Sequence, residues 1–244
     1  MTPNDLNDAE LATAIATEAG QLLLALQRTG ASKECGARGD RDANVLILDR
    51  LRAARPDDAI LSEESADDPA RVGASRVWIV DPLDGTREFS EGRDDWAVHI
   101  ALAIDGAPAV GAVALPALNV TLSTDAPPSL APAHNPPRML VSRTRPSQLC
   151  AHVGDRIGAT MLPMGSAGAK AMAVVRGEAE IYLHSGGQYQ WDNCAPAAVA
   201  LAAGLHVSRI DGSTIVYNQP DTSIPDILIC RPEFAERVLA LINP

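Results

Sequence analysis

WIVDPLDGTREF (78–89) opens as a buried strand and closes as something else. The apolar run Trp78-Ile79-Val80 is followed at once by two aspartates, a proline, a glycine and a threonine. A tight turn needs one Asp and one Gly. Asp81 and Asp84, three residues apart at a strand end, instead bring two like charges together, which costs free energy unless a cation is present.

Two further stretches carry acids in comparable settings. In AILSEESADD (59–68), Glu63 and Glu64 follow a short apolar run, as if delivered by the end of another strand. In QWDNCAPAAVALAAG (190–204), Asp192 stands just before an expected helix, where a partly positive helix terminus tolerates its charge. Singly, each has a common structural use: a solvated turn, a hairpin turn, an N-cap. Together they form a set of hard oxygen donors with no His or Cys, which suits Mg2+ better than Zn2+.

The bulk properties set limits. A net charge of -11, from 20 Lys plus Arg against 31 Asp plus Glu, argues against a broad basic surface for a nucleic acid polymer. Cys35, Cys150, Cys194 and Cys230 form no CxxC pair, so neither a zinc knuckle nor a disulfide framework is suggested, and reduced thiols in a cytoplasm are the simplest reading. The start, MTPNDLNDAE, lacks the features of a secretory signal, and no apolar run is expected to span a bilayer.

Hydrophobic periodicity predicts a helix from Asn7 or Asp8 to about Arg28, with Leu11, Ile15, Ala19, Leu22 and Leu23 on one face. ASKECGARGD (31–40) breaks the pattern, and a second helix is expected from about Asp40 to Pro56. Strands follow at 59–61, 77–80, 98–103, 109–115 and 120–123, suggesting a largely antiparallel sheet covered by the two helices. DAPPSLAPAHNPPR (125–138), with five prolines, reads as a connector between an N-terminal α+β half (1–130) carrying most of the acids and a C-terminal α/β half (131–244) carrying Asp192. In the second half strands near 139–141, 160, 181–183 and 227 alternate with helices at 147–157, 167–176, 195–203 and after Pro232. GSAGAK (165–170), entering a helix, offers main-chain N–H groups and a positive terminus to an anion, with Lys170 nearby.

SEES, WIVDPLDGTREF followed by WAVHIAL, and WDNCAPAAVALAAG resemble, in order, the three metal-binding signatures of the lithium-sensitive, magnesium-dependent inositol monophosphatase-like phosphatases. The resemblance spans about Asp40 to Asp211. Within that family, GSAGAK and DPLDGTREF are most similar to the CysQ-type branch, the 3'-phosphoadenosine 5'-phosphate phosphatases, particularly its actinobacterial members. The fold it implies is α/β of mixed α+β character, a layered αβαβα sandwich. It also implies two Mg2+ ions, with a third in some relatives, a small phosphorylated substrate and a homodimer.

Carried over by resemblance, Glu63, Asp81 and the Leu83 carbonyl hold one Mg2+, and Asp81, Asp84 and Asp192 hold the second. Asp40 and Thr86 activate the attacking water. Gly85, Thr86, Ser166, Lys170 and Asp192 contact substrate. Arg41, Arg87 and Arg93 are further candidates for phosphate contacts, not part of the resemblance. Two departures stand out. The segment 30–39 is shorter than the family's loop between the first two helices, which covers the site and helps hold a third metal. Ser185 replaces the glutamate that contacts inositol in the inositol phosphatases, leaving space at Ser185-Gly186-Gly187 for a bulkier group such as a nucleobase. The expected activity is therefore conversion of 3'-phosphoadenosine 5'-phosphate to AMP and phosphate, limiting a by-product of sulfate assimilation. A broader phosphatase for inositol 1-phosphate or fructose 1,6-bisphosphate is the alternative, and a non-catalytic nucleotide and Mg2+ sensor is the reading of another class.

Overall fold

The computed structural model describes residues 6–243, so the first half of the polar start lies outside the described residues. Helix α1 (Asp8–Gln27) begins where expected, because Asn7 accepts from the Ala9 and Glu10 amides, both at 2.9 Å, while the Glu10 carboxylate takes the Asn7 amide at 2.9 Å. Leu11, Ile15, Ala19 and Leu23 form its buried stripe, and Leu22 is only half-buried. Contrary to expectation, α1 is long and apolar enough, by length and composition, to cross a membrane, with a mean hydropathy of 1.2. Here its apolar stripe packs on a sheet, in one cluster with Trp78, Val80, Ile100 and Leu102.

Helix α2 (Lys33–Ala54) starts seven residues earlier than expected, with Ser32 accepting from the Cys35 amide at 3.1 Å. The segment taken for a loop is mostly helix. Its glycines are packing residues: a Cβ on Gly36 would lie 2.3 Å from Ser90 Oγ, and one on Gly39 would lie 2.9 Å from Leu23 Cδ2.

The strands β1 (Ala59–Ser62) and β2 (Arg76–Asp84), the short helix α3 (Thr86–Ser90), and the strands β3 (Ala97–Ile104), β4 (Ala107–Leu115) and β5 (Val120–Ser123) complete the first half. They form a five-stranded sheet in sequence order, antiparallel except for the parallel pair β1/β2. After residue 123 the proline-rich connector crosses to β6 (Arg138–Ser142) without a helix or strand. Its far end is clasped by Glu180, which is buried and accepts from the His134 amide at 2.8 Å, the His134 ring at 2.8 Å and the Arg138 amide at 2.7 Å.

There follow α4 (Gln148–Ile157), β7 (Thr160–Met164), α5 (Ala167–Val175), β8 (Ile181–His184), β9 (Gln188–Tyr189), α6 (Gln190–Ala202), β10 (His206–Ser208), β11 (Ser223–Ile224), β12 (Ile227–Cys230) and α7 (Pro232–Ile242). The second sheet has the order β10-β12-β8-β6-β7, and β9 and β11 pair separately. The short strands β9, β10 and β11 carry no local signal and are missing from the sequence reading. Helix α6 starts five residues earlier than expected, so Asp192 sits in its first turn rather than before it.

Period-two alternation sorts the layers. In β2, Trp78 and Val80 face α1 and α2, while Val77 and Ile79 face the other way, into a cluster shared with α5 and α6. In β8, Tyr182 joins that same cluster, whereas Ile181 and Leu183 pack with Val153 of α4 and Val238 of α7. The sequence of layers is thus helices, sheet, helices, sheet, helices: the αβαβα sandwich expected. The central layer, α5 and α6, serves both sheets.

Candidate active site

The β2/β3 register breaks between Asp81 and Asp84. Pro82 lacks an amide hydrogen to pair there, and Asp81 Oδ1 accepts the Leu83 amide at 3.0 Å, tightening the bend. Gly85 follows at φ +91°, a left-handed conformation that turns the strand into α3, and a Cβ there would press within 3.2 Å of Ser166 and 3.3 Å of Trp96. The two aspartates so leave one strand end toward the start of α6. That start is fixed by buried Gln190, whose Oε1 accepts the Asn218 amide at 2.6 Å and whose Nε2 donates to the Asp221 carbonyl at 3.1 Å. Asp192 gives one carboxylate oxygen to the Tyr189 amide at 2.6 Å.

Carboxylate oxygens of Asp81, Asp84 and Asp192 lie within 4.8 Å of one another. Glu63, directly after β1, stands close enough to Asp81 for each charge to act on the other. The charges pay for this closeness in protons. Asp81 is held well above the usual carboxylate range by burial and then by Glu63 and Asp84. Glu63 is pushed up to about 7 by burial and Asp192, and Asp192 to about 6 by burial and Asp84. Such mutual frustration among oxygen donors fits a dication, which would replace the protons.

Asp84 differs. Burial would raise it, but the His99 ring at 3.1 Å, the Ser166 hydroxyl and the Gly168 amide at 2.6 Å outweigh burial and bring it down to about 2. The Ala167 amide adds a bond at 3.1 Å.

Asp40 lies inside α2, buried, with Thr86 Oγ1 3.4 Å from its Oδ1. Burial and then Glu64 raise it to about 7. Thr86 Oγ1 also lies 3.2 Å from the Leu83 carbonyl oxygen. Glu63, Asp84, Gly85, Thr86, Ser166, Lys170 and Asp192 line one cavity of about 630 Å3. Lys170 is buried, its ammonium donating to the carbonyls of Gly165 at 3.0 Å and of Ser166. Of the arginines, Arg87 lines the cavity, Arg41 does not, and Arg93 is paired with Asp95 at 2.7 Å. Ser185 is turned away, its hydroxyl on Ser147 Oγ at 3.0 Å, while Gly186 and Gly187 line the cavity wall. Sequence reasoning missed Arg145, Tyr189 and His184 on that wall, and His99 beneath it. Only His99 left a trace: it is the one polar residue in the apolar run of β3.

A pH dependence follows for the metal-free protein. Asp40, Glu63, Asp81 and Asp192 have folded values above their unfolded ones, so the folded state binds more protons and its stability falls as pH rises from about 4 through 7. Asp84, lowered, contributes stability that is lost only below this window. In EDTA the melting temperature should drop by about 5 °C or more between pH 5 and pH 8, and Mg2+ should restore more at pH 8. Scanning calorimetry checks this, and a metal-free melting temperature that rises across the window would refute it.

Residues 7–126 and 134–243 match the sequence profile of the inositol monophosphatase family. The chain is 48% identical, over 98% of its length and 94% of the relative's, to the 3'-phosphoadenosine 5'-phosphate phosphatase of Mycobacterium leprae. It is 52% identical to the protein of the same name from Mycobacterium bovis, over 92% of this chain and 89% of that one. Among solved structures, CysQ from Bacteroides thetaiotaomicron, a bacterial member of the same family, shares the fold at a TM-score of 0.76 and 23% identity, covering 90% of this chain and 95% of that chain.

Proposed function

The chain belongs to the inositol monophosphatase family, and from that premise we propose that it hydrolyses the 3'-phosphate of 3'-phosphoadenosine 5'-phosphate, giving AMP and inorganic phosphate. The observation that carries the reading is the cavity. It runs from the acidic cluster to a wall of Tyr182, His184, Gly186, Gly187 and Tyr189, a size suited to a nucleotide rather than a single sugar ring. Its rim holds Arg87 and Arg145, exposed and without an ion-pair partner among the described residues, as places for a remote phosphate. The half-exposed Tyr189 ring, stacked on Trp191 at 4.8 Å, offers a flat face to a base.

In this reading Glu63, Asp81, the Leu83 carbonyl, Asp84 and Asp192 hold two Mg2+. Bound there, the ions would acidify the attacking water, neutralise phosphoryl oxygens and stabilise the leaving alkoxide. Asp40 takes the proton of the water, with the Thr86 hydroxyl orienting it. Gly85 lets the backbone approach the phosphate. Lys170, through the carbonyls it holds, keeps the 165–166 turn shaped, with Ser166 at φ +44°.

Phosphate release at equal, sub-saturating concentrations tests the assignment. The nucleotide can convert contacts of its remote phosphate and base into positioning of the scissile group. Its kcat/KM should exceed that of inositol 1-phosphate by about tenfold or more, the factor of one charged hydrogen bond. Faster hydrolysis of inositol 1-phosphate or fructose 1,6-bisphosphate would replace the nucleotidase reading with the broader one.

A further inference from the structure

His99 is fully buried and takes no part in the chemistry above. It stands on β3 opposite Asp81, in the β2/β3 register, on the face turned toward α6. Its Nδ1 lies 3.0 Å from the Trp191 carbonyl oxygen, and its Nε2 lies 3.1 Å from Asp84 Oδ2. A carbonyl oxygen only accepts, so Nδ1 carries a hydrogen. One ring therefore spans two separate elements: the end of β2, which delivers Asp84, and the first turn of α6, one residue before Asp192.

Room for the ring has been made on a third element. A Cβ on Gly168, the second residue of α5, would fall 1.9 Å from His99 Nε2. An ordinary core histidine needs a bond for each nitrogen and nothing more. Here a hydrogen bond from Nδ1 ends on Trp191, the immediate neighbour of Asp192, and a 3.1 Å ion-pair contact from Nε2 ends on Asp84, so the ring joins the two residues whose separation defines one cation position. The ring is also closed off from solvent, so it is not a substrate contact.

We propose that His99 is a positioning residue that sets the separation of Asp84 and Asp192 and thereby shapes the second cation position. The proposal rests on reading these two aspartates as metal ligands. Without the ring, the β2 end and the α6 start lose their direct side-chain link, and Asp84 keeps only its partners on the 166–168 turn.

Three variants of the full chain separate position from charge: His99→Leu removes both contacts, His99→Asn retains reach to Trp191 only, and His99→Gln retains reach to Asp84 only. The readout is Mn2+ binding, followed by electron paramagnetic resonance, alongside kcat as a function of Mg2+. Wild type should bind two Mn2+ per chain. His99→Leu and His99→Asn should bind the first unchanged and the second about tenfold more weakly, with a kcat deficit that excess Mg2+ reduces. His99→Gln, which holds the β2 end but not α6, should bind the first unchanged and the second about threefold more weakly, between wild type and the other two. Asn serves as the informative variant if Leu fails to fold. Unchanged second-site affinity in folded His99→Leu or His99→Asn would overturn the proposal, as would equal tightening by all three neutral variants, which would assign the ring's effect to charge. Failure of wild type to bind two Mn2+ would instead remove the ligand reading beneath it.

Discussion

Asp81→Asn should lower turnover by about a thousandfold and, in the same molecule, raise the melting temperature of the metal-free protein at pH 8. Both results come from one charge. Asp81 is buried at the centre of the cluster, with Glu63, Asp84 and Asp192 all acting on it. The amide keeps an oxygen for the Leu83 N–H, so the bend at 81–83 is retained. On the proposed reading, what is lost is a carboxylate that would help hold both dications, and losses of this kind reach several kcal/mol of transition-state stabilisation. What is gained is relief from like-charge repulsion when no cation is present. Phosphate release and calorimetry on one preparation measure both. Turnover within tenfold of wild type would end the two-cation reading of these residues.

Asp40→Asn should cost about a hundredfold in kcat while leaving Mn2+ binding at both positions nearly intact, the range expected for losing a general base. The pH profile distinguishes this from damage to α2. On the proposed reading the base form of Asp40 is needed in wild type, so activity should rise with pH through its folded value. That value, about 7 without metal, is drawn lower by dications nearby. The acidic limb should therefore lie below pH 7 in wild type and flatten in Asp40→Asn. A variant with an unchanged limb and a proportionate loss of Mn2+ would show that Asp40 holds the fold rather than the water.

Most of the architecture was legible because alternation is a property of the chain itself. Trp78 and Val80 against Val77 and Ile79 announce a strand with two covered faces, and the family signatures then fix the layers. The misplacements have local causes. CGARGD reads as a helix breaker because glycine is a poor helix former, yet Gly36 and Gly39 are where α2 approaches Ser90 and Leu23, and close packing overrides propensity. The helix expected at 195–203 begins instead at Gln190, with Pro196 inside it. The acids of the site were readable by type and order. Their closeness was not, since Asp84 and Asp192 are brought together by the break in β2, the Gln190 anchors and the His99 ring, none of which has a spacing in the sequence.

The shared central layer has a consequence for how the chain is made. The face of the first sheet formed by Val77, Ile79, Ala101 and Val113 packs against α5 and α6, which the ribosome delivers only after the proline-rich connector, β6, α4 and β7. Synthesis from the end of β5 to the end of α6, at about 5–20 residues per second, takes roughly 4–16 s. During that interval the nascent first half carries α1 and α2 on one side and an uncovered apolar sheet on the other. The emerging polypeptide is thus a substrate for chaperone capture at that face until α6 has been made, well after the proline-rich crossing.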